Sequence, residues 1–333
     1  MEGIRIYRKA DIEKLIAKRK GETKFGEKLQ FIEKAEELKH HPAKFVLLGI
    51  PEDIGVRANY GNAGTSAAWK AGLNALVNIQ LNRFNDSENL IVLGELDCRE
   101  LMQKASSIDS TDPNYHRKLG DLVKQIDILV ADIIETIVSH GKIPVIIGGG
   151  HNNAYGNIKG ASKALKNPVN ILNIDAHTDL RQLEHRHSGN GFSYAIEGGF
   201  LNKYSVYGLH KNYTPEYIFK EMEISENLQY RLWEDLMMRP EDIIQDFREN
   251  LSNLDKHKFG FELDCDAIAN FPSSAQSPTG FTLEQIRQFI KIVSANNNCV
   301  YFHICEAAPS GQKTFNVGKA LAYFISDFTR AGS

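Results

Sequence analysis

Apolar residues along this chain fall into short continuous runs, separated by longer stretches in which they recur every three or four positions. Runs such as PVIIG and VNILNI suit strands covered on both faces, as the strands of parallel sheets are. They predict strands over 44–50, 90–94, 144–147, 169–174, 204–207, 230–233, 258–263 and 300–304. Helical spacing predicts helices over 66–77, 115–139, 241–250, 283–295 and 317–328. The stretch LVKQIDILVADIIETIV shows that spacing most clearly, and Gly141 follows as a helix-ending residue. Strands alternating with helices specify a parallel sheet between two helical layers. The first 40 residues differ: they are rich in Lys and Glu and read as one or two surface helices, ADIEKLIAK and KLQFIEKAEEL. The expected organisation is a helical extension over 1–40 and one three-layer α/β/α domain over 41–333, built on eight parallel strands.

Composition narrows the class. The 333 residues carry a net charge of −3, from 39 basic and 42 acidic side chains, so no strong field attracts nucleic acid or anionic lipid. No apolar run approaches the roughly 20 residues that span a bilayer, and the N-terminus MEGIRIYRKADIEKL lacks the apolar core of a signal peptide. The four cysteines, Cys98, Cys265, Cys299 and Cys305, have neither CxxC spacing nor the density of a disulfide scaffold. These features predict a soluble cytoplasmic protein that acts on a small molecule, without nucleic-acid or membrane partners.

Chemistry concentrates in three segments: GGGHNNAYG from Gly148, NIDAHTDLR from Asn173 and FELDCDAIA from Phe261. Each follows an apolar run, so each lies where a parallel strand ends, the usual place for ligand sites in such sheets. Together they supply His151, Asp175, His177, Asp179, Asp264 and Asp266. Six such ligands at one end of a sheet match the needs of two divalent cations, and a carboxylate-rich set favours Mn(II) over zinc. In extended chain Asp175 and His177 face the same side, as do Asp264 and Asp266, whereas Cys265 faces away and packs beneath. Two carboxylates and an imidazole within five residues are unstable as a purely structural feature unless a cation or solvent compensates them.

From Phe45 onward these blocks resemble the ureohydrolase superfamily of arginase, agmatinase and formimidoylglutamase. The resemblance implies an eight-stranded parallel sheet and two Mn(II) ions: His151 and Asp179 on one, His177 and Asp266 on the other, Asp175 and Asp264 bridging. It also implies that Glu306, in YFHICEAAPS, grips the planar amidine or guanidine end of the substrate, a good match for a bidentate carboxylate. Asp266 or Asp179 would accept a proton and help deliver it to the departing nitrogen. The spellings GGGH, DLR and HSG-x-x-F are similar to formimidoylglutamase, where Arg181 is placed to meet a substrate carboxylate; Ser188 and Asn190 belong to the same segment. Arginases carry a proton-shuttling histidine where this chain has Phe192, whereas the SGN of 188–190 is their spelling, and Asn152 replaces a glutamate common in formimidoylglutamases. The expected reaction is metal-assisted hydrolysis of N-formimidoyl-L-glutamate to L-glutamate and formamide. Arginine, agmatine and other guanidino compounds remain alternative substrates, and a single-zinc deacetylase or a non-catalytic binding protein are alternative roles. Members of this family are often homo-oligomers, and the sequence marks no interface.

Overall fold

A computed structural model of the protein describes residues 3–330. One sheet holds nine strands: β1 (Ile4–Ile6), β2 (Phe45–Gly49), β3 (Leu90–Leu96), β4 (Ile143–Ile147), β5 (Val169–Ile174), β6 (Leu201–Leu209), β7 (Leu228–Leu232), β8 (Phe259–Asp264) and β9 (Cys299–Cys305). Their spatial order is β1-β3-β2-β4-β9-β8-β5-β6-β7. All eight strands predicted from apolar runs are present and mutually parallel. The expected count of eight is corrected by β1, which pairs antiparallel with β3, Ile4 opposite Leu96.

The helices are α1 (Lys9–Glu13), α2 (Ile54–Ala58), α3 (Ala68–Leu76), α4 (Arg99–Ser107), α5 (Tyr115–Ser139), α6 (Asn153–Leu165), α7 (Gly191–Glu197), α8 (Glu216–Ile224), α9 (Trp233–Leu236), α10 (Ile243–Ser252), α11 (Leu283–Ser294) and α12 (Thr314–Thr329). Alternation along each strand sorts the core into two layers. On β2, Phe45 and Leu47 face α3, α9, α10, α11 and α12, whereas Val46 and Leu48 face α4 to α8. In α6, Gly156 and Gly160 are one turn apart. A Cβ at Gly160 would lie 2.5 Å from the Ala131 carbonyl oxygen, so only glycine admits α5 this closely.

The expectation of a helical extension over 1–40 is also corrected. Among the described residues of this stretch only α1 is α-helical, and KLQFIEKAEEL is irregular apart from a short 3-10 turn at Ala35–Lys39. Gln30 donates its N–H to Leu90 O and accepts from Val92 N, so this segment runs along β3. Phe25, Leu29, Ile32 and Leu38 are buried. Tertiary pairing outweighs the helical propensity of the Lys- and Glu-rich sequence, and β3's edge is covered rather than exposed.

Candidate metal centre

The strands β4, β9, β8 and β5 are neighbours, all parallel, at the middle of the sheet. Their carboxyl ends carry the GGGH turn, Glu306, the DCD pair and DAHTD respectively. The turn after β4 needs Gly148 (φ 97°) and Gly149 (φ 73°), because a Cβ at Gly149 would strike Asn153 Nδ2 at 2.1 Å and Glu52 Oε1 at 2.6 Å. Glu52, wholly buried, accepts bonds there from Gly150 N, Asn152 Nδ2 and Asn153 Nδ2, and from Ile54 N on its other oxygen.

Four of the six predicted ligands are buried; Asp179 is 12% exposed at its side chain, and His177, 30% exposed, faces the opening. His151 Nδ1 lies 2.9 Å from Asp179 Oδ2, 3.1 Å from Asp264 Oδ2 and 3.2 Å from Asp175 Oδ2. Asp175 turns its other oxygen to His177 Nδ1 at 3.5 Å, and Asp266 Oδ2 lies 3.9 Å from that nitrogen. One carboxylate thus reaches both histidines, the arrangement required of a bridge. Asp266 is held by Ala275 N at 3.0 Å and Ser274 Oγ at 3.3 Å. Asp179 (φ 48°) and Glu306 (φ 58°) both adopt left-handed backbone, strain of a kind that collects at functional sites.

The donor set fits divalent cations. One atom each from His151, Asp175, Asp179 and Asp264 lies within 4.8 Å of all the others. Neither ring nitrogen of His151 has a hydrogen-bond partner among the described residues, although three carboxylate oxygens crowd Nδ1. Burial, then neighbouring carboxylate charge, pushes Asp264 well above the usual range, and burial also raises Asp179 and Asp266. A buried cluster of this kind relaxes when cations neutralise it. Cys265 packs in the core as expected, while the thiol near the ligands is Cys305, 4.0 Å from Asp264 Oδ2.

Above the ligands opens a cavity of about 640 Å³, lined among others by His177, Asp179, Arg181, Ser188, Asp264, Asp266 and Glu306. Glu306 Oε1 accepts from His151 N at 2.7 Å, and its buried Oε2 has no hydrogen-bond partner among the described residues. Burial, then the charge of Asp266, pushes this carboxyl up to about 8. Arg181 Nη1 donates to Asn59 Oδ1 at 3.0 Å, and Asn59 Nδ2 donates to Ser188 Oγ at 3.1 Å. Glu184 pairs with His187 rather than with Arg181. Asn190, expected to bind substrate, lies outside the residues lining this cavity, with Oδ1 accepting from Arg186 and His187 N and Nδ2 donating to His185 O. Phe192 is buried edge-to-face against His151, ring centroids 5.1 Å apart.

Sequence reasoning missed three charged residues that hold this site: Glu52, Glu262 and Arg186. Arg186 is 1% exposed and anchors the loop carrying Arg181 and Ser188. Its Nε and Nη2 donate to Asp127 at 2.9 and 3.1 Å, and further N–H groups meet Asn152 O and His187 O. Removing one partner strands a buried charge, so Arg186→Met is expected to lower unfolding stability by about 3–5 kcal/mol in urea titrations. Adding Asp127→Asn should restore part of that loss; equal stability of the Arg186 variant and wild type would refute the anchoring role.

A family model described as the arginase family matches residues 43–327. A formimidoylglutamase of Lysinibacillus sphaericus is 26% identical over 288 residues, 84% of this chain and 82% of that protein. The structure of a formimidoylglutamase from Bacillus subtilis superposes with a TM-score of 0.73 at 17% identity, covering 94% of this chain and 93% of that one. A Trypanosoma cruzi formiminoglutamase described with Mn2+ superposes with a TM-score of 0.70 at 16% identity, over 92% and 99% of the two chains. The sheet, the ordered motif blocks on its central strands and a family match across most of the sequence agree, and this chain belongs to the arginase family.

Proposed function

We propose that this chain hydrolyses the C–N bond of an amidine carried on an acidic amino acid, N-formimidoyl-L-glutamate, giving L-glutamate and formamide in the breakdown of histidine. The observation that carries the reading is one cavity with the ligand cluster at its floor, an unpartnered Glu306 oxygen beside it and Arg181 at its exposed edge. Relatives named formimidoylglutamase support the substrate class, and the Mn2+ of the Trypanosoma cruzi protein supports the metal. His151 and Asp179 would hold one Mn(II), His177 and Asp266 the other, with Asp175 and Asp264 shared. When bound, such a pair lowers the pKa of water toward neutrality and so supplies the nucleophile.

The remaining work falls to side chains. Glu306 receives the planar cation and sets its carbon toward the ligand cluster. Asp266 or Asp179 accepts a proton and returns it to the departing nitrogen. Arg181, braced by Asn59 and Ser188, meets the carboxylate of the glutamyl part. Phe192 presents no titratable group, so the shuttle histidine that the family resemblance associates with arginine hydrolysis is missing. The proposed compartment is the cytoplasm; among the described residues no helix is long and apolar enough to cross a membrane.

Steady-state assays with formimidoylglutamate, arginine, agmatine and guanidinobutyrate under added Mn(II) test this. The specificity constant is expected to be highest for formimidoylglutamate, and a ratio favouring arginine would overturn the reading. Arg181→Met should raise the Michaelis constant for formimidoylglutamate by roughly tenfold or more with metal content unchanged, the loss of one charge-assisted contact at a partly solvated site. An unchanged constant would make Arg181 a surface residue.

A further inference from the structure

We propose that Glu262 is a positioning residue that decides which nitrogen of His151 is offered to the metal centre, with Tyr301 and His303 holding Glu262 in place. The inference rests on the metal-binding reading above. Glu262 lies on β8 two residues before Asp264, so its side chain projects on the same side of the strand. It is wholly buried. Its Oε1 accepts from Tyr301 Oη at 2.7 Å, and its Oε2 lies 2.5 Å from His303 Nδ1. His303 in turn reaches the Gly148 carbonyl with Nε2 at 3.3 Å, tying the network to the turn that carries His151.

Above this network sits the His151 ring. Its Nδ1 faces Asp175, Asp179 and Asp264, and its Nε2 lies 3.6 Å from Glu262 Oε2. That separation is an electrostatic preference and not a hydrogen bond. A neutral imidazole carries one proton. On Nδ1 it would point into the ligand cluster and occupy the lone pair that a metal needs. On Nε2 it points at Glu262, which is, among the described residues, the carboxylate within ion-pair reach of that nitrogen. Phe192 packs edge-on at 85° to the ring and restricts its rotation. Fixing a ligand histidine's tautomer through its distal nitrogen is worth roughly 10–100-fold in metal affinity.

The test is titration of metal-free wild type, Glu262→Gln and Tyr301→Phe with Mn(II), followed by electron paramagnetic resonance, beside thermal unfolding of the same metal-free samples. Glu262→Gln is expected to weaken Mn(II) binding by roughly 10–100-fold, and Tyr301→Phe by less, in the same direction. Nitrogen-15 spectra of the proteins loaded with a diamagnetic divalent cation should show the His151 Nε2–H in wild type, with its resonance shifted in Glu262→Gln. Wild type that binds Mn(II) alongside variants within about twofold of it, whatever their melting points, overturns the positioning role. Wild type that binds no Mn(II) overturns the metal reading and this inference together. Should Glu262→Gln fail to fold, Tyr301→Phe decides, because it removes one hydrogen bond and keeps every charge.

Discussion

Changing Asp175 to alanine is expected to remove both cations at once and to lower turnover by roughly three orders of magnitude or more, equivalent to at least about 4 kcal/mol of lost transition-state stabilisation. The expectation comes from a single side chain whose two oxygens lie 3.2 Å from His151 Nδ1 and 3.5 Å from His177 Nδ1. Other ligands touch one histidine more closely than the other, so losing Asp175 unlinks the two halves of the cluster. The same carboxylate accepts the His177 N–H at 2.8 Å and Asn173 Nδ2 at 3.0 Å, so the turn after β5 loosens as well. Elemental analysis and turnover on one sample check this, with circular dichroism to establish folding. A folded variant that keeps two equivalents of manganese would remove Asp175 from the centre. Two equivalents in wild type also separate a two-metal hydrolase from a one-zinc deacetylase and from a metal-free binding protein.

What the sequence made legible was what local patterns encode. Strands 144–147 and 169–174 show as continuous apolar runs because both faces are covered, and DAHTD shows because its charge density has no cheap structural explanation. What stayed hidden depends on partners distant in sequence. The three residues of β1 sit in a charged N-terminal stretch and become a strand only beside β3, about ninety positions away. The helix α6 escaped because NAYGNIKGASKAL is built of small residues that fit against α5 rather than of an apolar stripe. Glu262 was in plain view: an acid flanked by Phe261 and Leu263 inside a buried strand needs a compensating partner. Period two already placed it beside Asp264, yet its partners Tyr301 and His303 come from another strand. The hydrogen bonds of Asn190 were hidden for the same reason: its amide meets Arg186, His187 N and His185 O within the loop, pairings that depend on how the loop folds back.

Glu306→Gln is expected to leave metal content intact while lowering kcat/KM for the amidine substrate by one to two orders of magnitude, the worth of about 1.5–3 kcal/mol for a hydrogen bond to a charged group. The geometry makes glutamine a discriminating replacement. Oε1 is committed to His151 N at 2.7 Å, so the amide oxygen of glutamine keeps that bond and the GGGH turn stays in place. The amide nitrogen then occupies the position of Oε2, the buried oxygen that has no hydrogen-bond partner among the described residues, on a residue lining the cavity. There it presents two N–H donors to a substrate whose planar end is itself a donor, and attraction becomes repulsion. The left-handed backbone at Glu306 and its bond from N to Gly149 O at 3.1 Å do not depend on the side chain's charge, so folding should survive. Steady-state kinetics with elemental analysis on the same preparation separate the outcomes. Near-normal kcat/KM with full metal would return Glu306 to a structural carboxylate bracing the turn; loss of metal together with activity would make it part of the ligand scaffold instead of the substrate clamp.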